Sequence, residues 1–287
     1  MSRVAYVNGR YVRHAEAAVH IEDRGYQFAD GVYEVCEIWN GRIVDARRHL
    51  DRLERSLSEL SIRMPMGRAA LEMILREVVR RNLVHDGLVY IQVTRGVARR
   101  DHVFPSADTP PALVVTARSA RPEVAEKAAE AGVGVISVPE NRWDRVDIKT
   151  VGLLPNVLAK QKAKESGAKE AWFIDRDGFV TEGGSTNAWI VTKDNVLVTR
   201  PADHGILKGI TRQVVLDMVE KKGLAFEERP FTLEEAKEAK EAFITAASTL
   251  VMPVVSLDGK PVGNGHPGEM SRDLRAGFHE MAESEPV

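Results

Sequence analysis

The chain has 287 residues, 44% hydrophobic and 29% charged, enough for about two domains that each bury a core. Its 40 basic and 42 acidic residues leave a net charge of −2, so no overall field draws nucleic acid or an anionic membrane surface. Cys36 is the single cysteine, which excludes an internal disulfide and a cysteine-built zinc site; with no N-terminal apolar core and no apolar run of about 18 residues, a cytoplasmic protein without a metal is expected.

Residues 3–45 read as strands joined by tight turns. The stretch 4–12 alternates around Asn8-Gly9 and 32–44 around Asn40-Gly41, pairs that accept the positive φ of two-residue hairpins. Between them, 23–31 is a polar, glycine-punctuated loop. It feeds a strand on which Tyr33 and Val35 share one face and Val32 and Glu34 the other. Leu50, Leu53, Leu57 and Leu60 predict a helix over 49–62, with Arg52 near the flank of its buried stripe. Leu71, Ile74, Leu75, Val78, Val79 and Leu83 predict a second, more strongly amphipathic helix. Strands at 88–94 and 112–117 bracket an arginine-rich loop, 95–105, which reads either as solvated charge or as a functional loop.

The break at 119–123 is the expected linker between an N-terminal domain, 1–118, and a C-terminal domain, 124–287. Strands follow near 134–139 and 146–151, then a helix over 155–166 stopped by Gly167. Hairpins turn at Asp177-Gly178 and Asp194-Asn195, with the small-residue loop 181–187 between them. A helix carrying Val214, Val215, Met218 and Val219 opens after Gly209 and closes at Gly223. Its first amides, near Ile210 and Thr211, are donors that could hold a phosphate, although an ordinary capped helix has the same sequence. Thr232-Leu-Glu-Glu235 is a capping box. The apolar strand 242–247 runs into the hydroxyls of Ser248 and Thr249, Asp258-Gly259 turns a last hairpin, and 269–282 is a closing helix.

The 13 lysines all lie at or beyond Lys127, and most sit in polar runs that read as solvated faces, Lys160, Lys162 and Lys164 among them. Only Lys149 and Lys208 have mainly apolar or glycine neighbours. Lys149 follows Val146 and Ile148 and precedes Val151, Leu153 and Leu154; enclosure by such neighbours disfavours the ammonium form and leaves a nucleophilic amine. A buried lysine, a glycine-preceded helix start, hydroxyls at one strand end and a carboxylate at another make an inventory for pyridoxal phosphate.

Six motifs, in order, carry a resemblance: Asp30-Gly-Val-Tyr-Glu-Val35; His49-Leu-Asp-Arg-Leu53; Thr94-Arg-Gly with Arg100-Asp-His102; Asp147-Ile-Lys149 followed by Leu-Leu-Pro-Asn156; Thr181-Glu-Gly183 with Asn187; and Ile206-Leu-Lys-Gly-Ile-Thr-Arg212. Over essentially its whole length the chain resembles the fold-type IV pyridoxal-phosphate aminotransferases, and is most like their bacterial D-amino acid branch. The resemblance implies an α/β (α+β) fold of two domains, a small N-terminal α/β domain and a larger C-terminal pseudo-barrel α/β domain, with the cofactor in the cleft between them. It implies a homodimer in which the Arg100 loop reaches over the partner's site. The small domain would supply Tyr33, Arg52, Arg100 and His102, and the larger one Lys149 and Glu182.

In that likeness Lys149 is the Schiff-base lysine and the carrier of the proton between Cα and the cofactor C4′, and Glu182 pairs with the pyridine nitrogen. Arg52, the Ile210 and Thr211 amides and the Ser248 hydroxyl hold the phosphate, and Leu207 packs on the ring. Tyr33, Arg100 and His102 form the trap for the α-carboxylate. The Arg-x-His pair, not expected in branched-chain L-specific relatives, is the ground for D over L. The implied reaction passes the amino group of a D-amino acid such as D-alanine to 2-oxoglutarate. Alternatives are a branched-chain L-aminotransferase or an aminodeoxychorismate lyase on the same fold, or a non-catalytic or phosphate-binding domain in which Lys149 is structural. Gly184 stands where the relatives often have serine, and Ala246 and Ala247 replace hydroxyl residues before Ser248. Trp143 stays between a pocket role and packing, and Ser185 has no assigned role.

Overall fold

The computed structural model describes residues 3–287 and falls into two compact units. The first comprises the described residues up to Arg121 together with Ile148–Gly152 and Glu283–Val287; the second comprises Pro122–Asp147 and Leu153–Ala282. The chain passes from the first unit to the second between Arg121 and Pro122, and two later segments belong to the first unit. Lys149 is therefore a residue of that unit, not of the larger one.

Seven strands of the first unit form an antiparallel sheet in the order Ser284–Pro286, Arg42–Val44, Gly31–Trp39, Gly87–Thr94, Ala112–Ser119, Val4–Val7, Arg10–Arg13. Its hairpins turn at the two Asn-Gly pairs, where Asn8 and Gly9 have φ of 45° and 92° and Asn40 and Gly41 of 51° and 68°. Alternation along Gly31–Trp39 sends Val32, Glu34, Cys36 and Ile38 into the core and Tyr33 and Val35 to the opposite face. The helices Ala46–Glu59 and Arg68–Arg81 cover the core face with Leu50, Leu53 and Leu57 from one and Leu71 and Leu75 from the other.

Two local expectations change here. Residues 23–31 contain a short helix, Arg24–Phe28, started by the Asp23 carboxylate, which accepts from the Gly25 amide at 2.8 Å, and ended by Ala29 at φ 56°. The expected strand at 146–151 does not form along its length. Only its end docks, with Tyr33 N donating to Lys149 O at 3.0 Å and Val151 N to Gly31 O at 3.0 Å. That edge of Gly31–Trp39 is open to it because Arg42–Val44 pairs only with Ile38 and Trp39.

The second unit is built on a mixed sheet. Its order is Phe226–Glu228, Leu197–Thr199, Asn187–Val191, Glu241–Ala246, Leu250–Leu257, Val133–Pro139, Glu170–Ile174, Val180–Gly183, and Lys260–Pro261 pairs with Leu250–Leu257. Three residues, 184–186, join Val180–Gly183 to Asn187–Val191, which stands five places away in that order. In a flat sheet five places span about 24 Å, whereas the connection reaches about 14 Å at most. The sheet must therefore curl, as a pseudo-barrel requires.

Trp172, Phe231, Ile190 and Ile244 fill the larger core of this unit, and the helix Leu154–Glu165 lays Ala159 and Ala163 against Ala171 and Phe173. The expected helix over 269–282 is two pieces, Glu269–Ala276 and Phe278–Met281, separated at Gly277, a residue with little helix preference. No helix among the described residues is long and apolar enough to cross a membrane.

Gly31 is held by close backbone approach: a Cβ there would lie 2.8 Å from Val93 O and 3.0 Å from Thr94 Cα. Gly31→Ala must push apart two central strands, and a loss of about 2 kcal/mol is expected in urea unfolding of the purified protein.

Candidate functional site

In the first unit, the Lys149 ammonium lies 4.2 Å from the centre of the Tyr33 ring, which stacks on Tyr90 at 5.7 Å. Lys149 is half-buried and its surroundings are less apolar than expected: Ile148 is enclosed, but Leu154 is 68% exposed. A π face beside the amine and a backbone pinned to Tyr33 define its place instead.

On the core face of the same strand Glu34 is fully buried and receives a two-pronged hydrogen bond from Arg52, Nε to Oε1 at 2.7 Å and Nη2 to Oε2 at 2.8 Å. His49 Nδ1 lies 2.8 Å from Glu34 Oε2. The Arg52 fork expected to meet a phosphate thus gives its Nε–Nη2 edge to a carboxylate. Burial alone would raise the Glu34 pKa, but the charge and hydrogen bonds of Arg52, with the bond from His49, hold it well below the usual carboxyl range. For His49, burial is the largest influence and lowers the pKa. Glu34 opposes that only in part, so the ring is neutral and Nδ1 carries the proton it donates.

Arg100 and His102 are exposed and gather on one ring: the Arg100 guanidinium is 4.9 Å and the His102 ring 5.6 Å from the centre of Phe28. The loop bearing them is pinned by the motif residues. Arg95 grips Asp30 through Nε at 2.7 Å and Nη2 at 3.0 Å, Arg24 reaches Asp30 Oδ2 at 2.8 Å and the Asp101 carbonyl at 2.7 Å, and Thr94 Oγ1 donates to Asp23 Oδ2 at 2.9 Å. Tyr33 keeps other company, with Tyr90 and Lys149.

In the second unit, Glu182 is 5% exposed and held at both oxygens. Arg142 Nη1 donates to Oε1 at 2.5 Å, and Asn187 Nδ2 and the Leu207 amide donate to Oε2 at 3.0 and 3.1 Å. Arg142 is held in turn by Glu140, through Nε at 2.9 Å and Nη2 at 2.6 Å, and lies 4.4 Å over the Phe173 ring. Asn187 also donates to Leu207 O at 2.9 Å, and a Cβ on Gly209 would collide with its Oδ1. The helix Ile210–Lys222 starts at Gly209 without a side-chain cap, so the Ile210 and Thr211 amides, like the first amides of any helix, have no partner in the helix itself. Ser248 sits in an exposed turn, and next to it the Thr249 hydroxyl is buried without a partner. Lys208 and Trp143 are exposed. Among the described residues no cluster of His, Cys, Asp or Glu could hold a metal ion.

Sequence reasoning passed over Glu34, Arg142 and Asn187 as site residues. Glu34 could have been found as the one carboxylate on the apolar face of its strand. Arg142 and Asn187 carry no such mark, because their partners are set by the curl of the sheet.

The buried trio makes the first unit acid-sensitive in two stages. Below about pH 6.5 an unfolded chain binds a proton that buried His49 resists, so stability declines from there; the contribution of Glu34 is present above about pH 4.3 and is lost as the pH falls further. His49→Asn keeps a donor toward Glu34 and removes the first stage. The fall in unfolding free energy between about pH 6.5 and 5, measured by urea titration, is expected to be shallower in the variant.

Comparison with known proteins bears on this arrangement directly. The family model described as amino-transferase class IV matches residues 31–257. The D-alanine aminotransferase of Bacillus licheniformis is 44% identical over 97% of this chain and 96% of its own length, and that of Staphylococcus aureus (strain COL) is 39% identical over 98% and 99%. Among solved structures, the T.th. branched-chain amino acid aminotransferase with pyridoxamine 5′-phosphate superposes with a TM-score of 0.88 at 26% identity, over 98% of this chain and 94% of that one. With its two-unit fold, its caged carboxylate and full-length relatives of this kind, the chain belongs to the class IV aminotransferases.

Proposed function

We propose that this protein is a pyridoxal 5′-phosphate-dependent D-amino acid aminotransferase that passes the amino group of a D-amino acid such as D-alanine to 2-oxoglutarate. The observation that carries the chemistry is the carboxylate of Glu182, fixed by Arg142, Asn187 and the Leu207 amide where it can meet a protonated ring nitrogen. The choice of a D-amino acid is supported by the identity to the D-alanine aminotransferases and by the pairing of Arg100 with His102 on Phe28.

The donor set fits the cofactor: an uncapped helix start after a glycine, an unsatisfied buried hydroxyl at Thr249 and an ion-paired carboxylate at Glu182. In this reading Lys149 binds it covalently, Glu182 takes its ring nitrogen and Leu207 packs on the ring. Its phosphate is held by Arg52, Ser248 and the amides of Ile210 and Thr211. When bound, the cofactor supplies an electron sink for the Cα carbanion and carries the amino group between the two half-reactions. Once the substrate amine has taken its place on the cofactor, the freed Lys149 Nζ would carry the proton between the substrate Cα and the cofactor C4′, in one direction in the first half and in the other in the second. Tyr33, Arg100 and His102 hold the α-carboxylate and so decide which hand of amino acid presents its Cα hydrogen to Lys149.

A second copy is the expected cover for the loop face. Ile21, Tyr26, Val103 and Phe104 are 76%, 75%, 68% and 61% exposed, on segments joined by Arg24 N to Gly96 O and Ala98 N to Glu22 O. An apolar patch of this kind on a pinned loop supports a homodimer in which the Arg100 loop reaches over the partner's site. The lone Cys36, unpaired and buried, is in keeping with a reducing, cytoplasmic setting.

Assay of the purified protein with D-alanine, L-leucine and a chiral aromatic amine, each with 2-oxoglutarate, is expected to show turnover of D-alanine alone. Arg100→Ala and His102→Ala should raise KM for D-alanine by about tenfold or more with the visible cofactor band intact, and Lys149→Ala should abolish both band and turnover. Preference for L-leucine would transfer the protein to the branched-chain enzymes. In sedimentation, Phe104→Asp is expected to lower the dimer fraction and the activity together.

A further inference from the structure

Glu170 opens the strand Glu170–Ile174 with no part of it exposed, and no step of the proposed chemistry uses it. Its carboxylate gathers four groups. Oε1 accepts from the Ala171 amide at 2.9 Å and lies 3.1 Å from Lys160 Nζ; Oε2 accepts from Ser185 Oγ at 3.0 Å and Thr186 Oγ1 at 3.3 Å. A carboxylate withdrawn this far from water is tolerated only when it is paired and hydrogen-bonded. Here two of the four groups, the hydroxyls of Ser185 and Thr186, come from one turn.

That turn, 184–186, has further fastenings: Gly183 N to Thr186 O at 2.7 Å, Gly184 N to Ala171 O at 2.9 Å, and Asn156 Nδ2 to Gly184 O at 2.9 Å. Asn156 and Lys160 stand one helical turn apart on Leu154–Glu165, so the same helix face supplies both an amide and an ammonium. The Lys160 stem crosses Gly184, where a Cβ would be 3.0 Å from Lys160 Cδ and 3.1 Å from Glu170 Oε1. A side chain at 184 would crowd both the Lys160 stem and the carboxylate. Glu182 lies just before this turn and Asn187 just after it, and Asn187 is itself a donor to Glu182.

We propose that Glu170 is a positioning residue: by anchoring the turn 184–186 it fixes the two strand ends from which Glu182 and Asn187 project, and so sets how Glu182 meets the cofactor ring. The proposal rests on the reading of Glu182 as the partner of the ring nitrogen. Lys160 supplies the opposing charge.

Glu170→Gln keeps the shape but replaces an accepting oxygen with a donating amide. Four quantities report on it: the visible absorption of bound pyridoxal phosphate, the Kd of the apoprotein for pyridoxal phosphate, and kcat and KM for D-alanine. The variant is expected to move the band in the same direction as Glu182→Gln, to weaken cofactor binding about tenfold and to lower kcat about tenfold, with KM changed less than about twofold. A Glu170→Gln protein that is only less stable, with band, Kd and kcat unchanged while Glu182→Gln shifts them, overturns the proposal alone. If Glu182→Gln leaves the band in place, the reading of Glu182 falls and this proposal with it. Should Glu170→Gln not fold, the double variant Ser185→Ala, Thr186→Val is read in its place; the same band shift is expected, and an unshifted band overturns the proposal.

Discussion

The strand Gly31–Trp39 is the constraint on which the first unit depends, because its two faces and one edge all have assignments that a single-residue slip would exchange. One face carries Glu34 into the core beneath Arg52 and His49; the other carries Tyr33 toward Lys149. The edge receives the Lys149 segment through Tyr33 N and Val151 N. Backbone hydrogen bonds place the lysine, and side-chain alternation decides what it sees. The motif glycine at its start permits the close approach of Val93 and Thr94 that keeps this register.

The second unit meets a different demand, since the carboxylate of Glu182 is withdrawn from water and must still be satisfied. Glu182 is surrounded by donors of three kinds, a guanidinium, a side-chain amide and a backbone amide. Arg142 is itself steadied by Glu140, whose pKa burial would raise but whose bonds to Arg142 lower it. Arg142 thus stands between two carboxylates, Glu140 and Glu182, with its guanidinium over the Phe173 ring. Such an arrangement adds little net stability relative to an apolar core of the same volume, but it fixes direction, which a hydrophobic contact does not.

Elements governed by local chemistry were legible in the sequence. The Asn-Gly hairpins, the Thr232 capping box and the leucine-striped helix needed nothing from afar, and the structure has Asn8, Asn40 and Thr232 in those roles. The 146–151 segment misled because its apolar residues suggested a whole strand when only 149–151 finds a ladder neighbour. The last residues gave no sign of Ser284–Pro286, an edge strand whose partner, Arg42–Val44, lies some 240 residues earlier. Among the candidate site residues, Lys149 and Gly209 stood out by residue type and neighbours, and Glu182 only through the resemblance. Arg142, Asn187 and Glu170 did not, because each acquires its role from a curl or crossing that brings distant strands together. Lys160 read as one more surface charge and is instead the counter-ion of a buried acid.

The composition of the first unit has a chemical consequence. No lysine precedes Lys127, and of the later ones only Lys149 falls within that unit, where positive charge is otherwise carried by arginine. Aldehydes condense with primary amines and leave guanidinium groups alone under mild conditions. A diffusing carbonyl compound therefore finds one side-chain amine on the whole of that unit. A simple monoaldehyde thus has few idle amines to meet on this unit, and Lys149 is the one side-chain amine of it that can take the aldehyde up.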